Sequence, residues 1–108
     1  MSMDRELALS RVGGDTELLQ EIAVIFLDDY PKVLDEVKQA VDRGDARAVE
    51  RAAHGLKGSV SNFGARAAVE AASHLEILGR AGQVPDMAEG ILALERALRE
   101  LHHELEAL

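Results

Sequence analysis

His54 lies in the run His54-Gly55-Leu56-Lys57-Gly58-Ser59, which sets an imidazole and an ammonium group one helical turn apart among glycines. Neutral imidazole is a nucleophile near neutral pH, because an unperturbed pKa of about 6.5 leaves one ring nitrogen with a free lone pair. Such a nitrogen can attack phosphorus. Each helical residue turns about 100°, so Val49, Ala52, Ala53, Leu56, Val60 and Phe63 gather on one apolar stripe. His54, Lys57, Gly58 and Ser61 fall roughly opposite, facing solvent or a partner. Gly58 should cost the helix roughly 1 kcal/mol relative to alanine, and close approach of another molecule is the usual compensation.

The elements that must carry this histidine read as helices. The chain is rich in Ala, Leu and Glu, has two prolines, and lacks the alternation of β-branched residues that marks strands. A short amphipathic segment over residues 4–10 ends at Gly13-Gly14, and Asp15 is predicted to N-cap the next helix. That helix carries Leu18, Leu19, Ile22, Ile25 and Phe26, meets Pro31, and continues through Val33, Leu34, Val37 and Val41 to Gly44. A kink is expected at residues 28–31, since proline removes a donor and crowds the preceding turn. Asp45 should cap the helix bearing His54, which stops at Gly64. An alanine-rich helix follows over residues 65–81, with Ala68, Val69, Ala71, Ala72, Leu75 and Leu78 inward, and ends at Gly82. Pro85 is placed in the first turn of the last helix. There Met87, Ile91, Leu94, Leu98, Leu101, Leu105 and Leu108 repeat at spacings of four and three, the seam of a bundle or coiled coil. Short connections force antiparallel neighbours. The predicted fold is all-α, an antiparallel up-down-up-down four-helix bundle with a short extra N-terminal helix, one domain over residues 1–108.

On this topology Glu76 lies twelve residues after Gly64 and His54 ten before it, so the two reach similar heights on neighbouring helices. A carboxylate beside one ring nitrogen would fix the tautomer and orient the ring. The competing reading is an exposed glutamate on an acidic surface. His74, His102 and His103 are expected at the surface, and His102 and His103 with Glu106 fall short of the three ligands plus spacing that a zinc site needs, so no metal site is predicted. The run Gly55-Leu56-Lys57-Gly58-Ser59 lacks the order of a phosphate loop, and no nucleotide site is expected. A histidine carrier of this kind would take its phosphoryl group from a partner that brings both donor and magnesium.

Composition narrows the partners. Twelve basic residues stand against twenty acidic ones, a net charge of -8, which argues against nucleic acid as the main ligand. Phe26, Tyr30 and Phe63 are the whole aromatic supply, too few for base stacking. With no cysteine, no apolar run near the roughly 20 residues of a membrane span and no signal-peptide pattern, the expectation is a cytoplasmic protein without membrane insertion.

The run from His54 to Ala65, His-Gly-Leu-Lys-Gly-Ser-Val-Ser-Asn-Phe-Gly-Ala, resembles the signature of histidine-containing phosphotransfer (HPt) domains, the phosphorelay carriers of two-component signalling, which places the chain among bacterial systems. The likeness extends from Val12-Gly13-Gly14-Asp15 to the last leucine-rich helix. It implies His54 as phosphoacceptor, Lys57 as the cation that tolerates phosphoryl charge, and Glu76 as the residue that orients the imidazole. It implies a response-regulator receiver domain or a hybrid sensor kinase as partner, magnesium supplied by the receiver, no cofactor of its own, and a monomeric carrier without kinase activity of its own. Docking would use an apolar patch near His54, sought among Ile25, Phe26, Asp29 and Tyr30 with Gly58, Ser61 and Asn62, and Arg47, Arg51 and Arg66 at its rim. Two other readings stand beside this one. The chain could be the phosphoacceptor domain of a larger kinase, or an inert adaptor or oligomerisation bundle that binds another helix through the seam of residues 87–108.

Overall fold

The computed structural model describes residues 3–108, which form five α-helices joined by short turns. Helix α1 spans Arg5–Arg11, α2 Thr16–Asp42, α3 Ala46–Ser61, α4 Arg66–Ala81 and α5 Met87–Glu106. Three of the starts are fixed by aspartate caps: Asp4, Asp15 and Asp45 each accept the backbone N–H three residues on, at 3.0 Å. Each such cap stabilises its helix by about 1 kcal/mol. Helices α2 to α5 run alternately up and down, α2 packing on α3 and α5, and α4 on α3 and α5. This is the predicted four-helix bundle.

The apolar stripe of every long helix turns inward. Val49, Ala53, Leu56 and Val60 of α3, Ala68, Ala72 and Leu75 of α4, and Leu94, Leu98 and Leu101 of α5 are buried together with Phe63. Each large side chain fully withdrawn from water stabilises the bundle by about 1.5–3 kcal/mol. The leucine seam of α5 is therefore spent inside this chain. An adaptor that docks a foreign helix on that seam loses its surface, although Leu92 on the opposite side of α5 stays exposed.

Helix α1 lies across one end of the bundle. Its cap residue Asp4 donates its backbone N–H to Phe63 O at 2.9 Å, in the turn between α3 and α4. That turn closes through Gly64, which has φ +58°, and a Cβ there would lie 2.6 Å from the Asp4 Cβ. Helix α2 runs on through Pro31 as expected, an exposed position where only the bond to the Leu27 carbonyl is forfeited. One boundary differs from expectation. Pro85 belongs to a separate 3₁₀ turn, Val84–Asp86, and α5 begins after it at Met87, because the chain must first turn back from the end of α4. No helix among the described residues is long and apolar enough to cross a membrane.

Candidate functional site

Midway along α3 the imidazole of His54 projects outward with 68% of its side chain exposed, as the helical spacing predicted. Its Nδ1 donates to Glu76 Oε2 at 2.7 Å, and Lys57 Nζ donates to the other carboxylate oxygen, Oε1, at 2.5 Å. The structure thus brings His54, Lys57 and Glu76 together on one face of the α3–α4 pair. Glu76 itself is 5% exposed, the one charged residue buried among the described residues, so the reading of a free surface glutamate falls. Lys57 does not stand free over the imidazole. Its ammonium rests on Glu76, leaving two N–H donors directed elsewhere.

A buried carboxylate persists as an anion only where donors replace its water. Here the hydrogen bond from Lys57, followed by that from His54, holds the Glu76 carboxyl below the usual carboxylate range, against the upward pull of burial. An ionised carboxylate only accepts, so the proton of the neutral imidazole sits on Nδ1 and the lone pair on Nε2. Nε2 is the ring nitrogen that Glu76 leaves free, on a side chain 68% exposed. Because the folded-state pKa of Glu76 lies below its unfolded value, the stability it contributes is present above the unfolded carboxylate range and is lost as pH falls through the folded value. Chemical denaturation from about pH 5 down to about pH 3 should therefore show a shallower loss of stability in Glu76→Gln than in the parent protein. Equal slopes would show that the carboxylate is not coupled to its donors.

Two residues of the site escaped the sequence reading. Arg80 donates through Nη2 to Glu76 Oε2 at 3.3 Å and through Nε to Glu50 Oε2 at 3.0 Å, closing a network around the imidazole. Helical arithmetic alone could have raised them, since Arg80 is four residues after Glu76 and Glu50 four before His54. The closeness of the two helices rests on Gly79. A Cβ at this position would lie 2.7 Å from Glu50 N and 2.8 Å from Ala46 O, so α3 and α4 approach here to backbone contact.

On the other flank of His54 a groove of about 460 Å³ runs between α2 and α3. Ile22, Ile25, Phe26, Tyr30 and Val33 line it from α2, and Arg51, Gly55, Leu56, Ser59 and Asn62 from α3. Ile25 is exposed, whereas Phe26, expected on the surface, is 6% exposed and forms the floor. Phe26 stacks on Tyr30 and meets Phe63 edge-on, contacts that draw it into the core. Tyr30 is also tied down: its hydroxyl and His102 Nδ1 lie 2.6 Å apart, so His102 is half-buried rather than free at the surface. Burial, then the nearby Glu106 charge, raises the Tyr30 pKa against the opposing pull of Arg99. Asp29 and Glu36 stand on the α2 side of the groove and Arg51 on the α3 side. Gly58 opens on empty space, with nothing within 4 Å of where a Cβ would sit. Ser61 bonds back to its own helix at Lys57 O, 2.7 Å, and does not line the groove, while Ser59 does. Arg47 joins Arg51 beside His54. Arg66 sits at the start of α4, in an i,i+4 pair with Glu70 at 3.4 Å, and does not line the depression that Arg47 and Arg51 share with His54.

Comparison with known proteins bears on the family and the fold. The family model of the Hpt domain matches residues 21–108. Among curated proteins none matches the sequence. Among solved structures, the crystal structure of histidine-containing phosphotransfer protein B (HptB) from Pseudomonas aeruginosa PAO1 is similar, with a TM-score of 0.91 over 98% of this chain and 92% of that chain. At 24% identity that likeness speaks for the fold alone.

Proposed function

The chain belongs to the Hpt domain family, the histidine phosphotransfer modules of phosphorelays, and on that premise we propose that His54 is its phosphoacceptor, exchanging phosphoryl groups with the phosphoaspartate of response-regulator receiver domains. The observation that carries this reading is the bond from His54 Nδ1 to a buried carboxylate, which leaves Nε2 as an exposed nucleophile. In the transfer, the Nε2 lone pair attacks phosphorus and an N–P bond forms as the acyl P–O bond breaks. The leaving group is the receiver's aspartate carboxylate. Nδ1 keeps its proton throughout, so the ring becomes cationic as the bond forms, and Glu76 is the fixed anion placed to stabilise that charge. Lys57, through its remaining N–H donors, offers positive charge to the phosphoryl oxygens. Donation is the same step reversed, and magnesium is the receiver's to supply.

The groove between α2 and α3 gives the receiver an apolar seat beside the reacting nitrogen, with acidic side chains on one wall and Arg51 on the other. Gly58 leaves room for the receiver's backbone to come close. This carrier works as a monomer in the cytoplasm. To test the assignment, the protein is incubated with a phosphorylated receiver domain and digested with trypsin under alkaline conditions that preserve phosphohistidine. Cleavage after Arg51 and Lys57 releases residues 52–57, in which His54 is the only histidine. Label is expected in that peptide. Label in the peptides carrying His74 or the His102-His103 pair would overturn the assignment.

A further inference from the structure

Glu50 takes no part in holding the imidazole, yet it stands one turn before His54 and binds the guanidinium that also contacts Glu76. Glu50, Glu76, Lys57 and Arg80 together make two negative and two positive charges, a network balanced before any phosphoryl group arrives. A phosphoryl group on His54 would add a charge of about -1.5 to -2 and three acceptor oxygens. Arginine is the side chain best shaped to hold such oxygens, through paired N–H donors. Arg80 has the reach: its side chain is 64% exposed, and it lines the same shallow depression as His54, Glu50 and Glu76. It is nevertheless occupied, with Nε on Glu50 and Nη2 on Glu76 Oε2, the oxygen shared with His54 Nδ1.

We propose that Glu50 is a positioning residue that sets the phosphotransfer equilibrium, by anchoring Arg80 to α3 and so keeping its guanidinium off the phosphoryl oxygens. The inference rests on the reading of His54 as phosphoacceptor. A carrier must release what it accepts. A guanidinium closed on the phosphoryl group would stabilise phosphohistidine over the receiver's acyl phosphate and draw the group toward this chain, whereas an anchored Arg80 leaves the two states closer in free energy. The anchor is built in by Gly79, which brings the backbone of α4 against that of Glu50 and leaves the neighbouring Arg80 facing its carboxylate.

The test measures the equilibrium constant for phosphoryl exchange with one purified, magnesium-loaded receiver domain. Glu50→Gln keeps the shape and removes the charge. It is expected to shift the equilibrium toward phosphohistidine by about fivefold, with only a small loss of thermal stability, because the amide still accepts from Arg80, whose side chain is 64% exposed. In an Arg80→Ala background the same substitution should shift it less than about twofold, since the released cation is gone. An unchanged equilibrium in Glu50→Gln would overturn the proposal. So would an equal shift in the Arg80→Ala background, which would mean that Glu50 acts by its own charge. If the parent protein takes no phosphoryl group at all, the phosphoacceptor reading falls and this one with it; if it equilibrates normally and Glu50→Gln does not differ, only this one falls.

Discussion

Gly79→Ala is expected to destabilise the bundle by about 2 kcal/mol and to uncouple the reactive histidine at the same time. The added methyl group would meet Glu50 N at 2.7 Å, Ala46 O at 2.8 Å and Glu50 Cα at 2.9 Å, and all three are backbone atoms that cannot rotate away. With three immovable backbone atoms inside 3.0 Å, overpacking here should cost at least the upper end of the usual range, about 3 kcal/mol, while replacing a helical glycine by alanine returns at most about 1 kcal/mol. For a chain of this size the net should lower the melting temperature by roughly 10 °C. The only relief is for α3 and α4 to part. Because Glu76 lies three residues from Gly79 and His54 four from Glu50, parting them lengthens the 2.7 Å bond between carboxylate and imidazole. Gly58→Ala is the contrasting case: nothing lies within 4 Å of its Cβ position, so the fold should be stabilised by up to about 1 kcal/mol while phosphoryl transfer declines. A Gly79→Ala protein as stable as the parent would refute the close contact between the helices.

The second large effect concerns the chemistry itself. Glu76→Ala should slow phosphoryl acceptance by about 10- to 100-fold, by analogy with the loss of the carboxylate that orients a metal-bound imidazole. Three losses combine. The Nδ1 proton is no longer held, so the lone pair is shared between the two ring nitrogens; the ring rotates more freely on an exposed helix face; and the cation formed during attack has no fixed anion beside it. Lys57 and Arg80 also lose their shared partner, which leaves uncompensated positive charge at the site. Glu76→Gln should fall between the two, because the amide oxygen still accepts from Nδ1 but its NH₂ cannot accept from Lys57. Rates from single-turnover transfer with a saturating receiver separate this chemical loss from weaker docking. Identical rates for all three proteins would show that the carboxylate is a structural residue only.

The sequence made the helices and the reactive residue legible for one reason, which is that both are periodic. Val49, Ala53, Leu56 and Val60 repeat at helical spacing, so the face carrying His54 could be assigned without any tertiary contact. Glu76 could be matched to His54 by counting similar numbers of residues, twelve and ten, from the turn at Gly64, since antiparallel helices convert sequence distance into height. Counting does not give the distance between axes. That distance depends on Gly79, which in sequence looks like a helix weakener just before Gly82 and in space is where two backbones touch. Four-residue offsets from Glu76 and His54 put Arg80 and Glu50 on the right faces, but their pairing is a consequence of close approach. The seam of α5 was ambiguous because a spacing of four and three serves a neighbour in the same chain as well as a foreign helix. His102 and Tyr30, separated by 72 positions, carried no local signal of their contact.

Phosphoryl transfer by this chain turns on one nitrogen. With the histidine rings labelled with ¹⁵N and the protein phosphorylated by a receiver domain, a long-range proton–nitrogen spectrum with phosphorus coupling identifies the atom that carries the group. Phosphorus bonded to Nε2 of His54, with Nδ1 still protonated against Glu76, is the predicted result. Phosphorus on Nδ1, or a His54 ring unchanged while another residue carries the label, would contradict it.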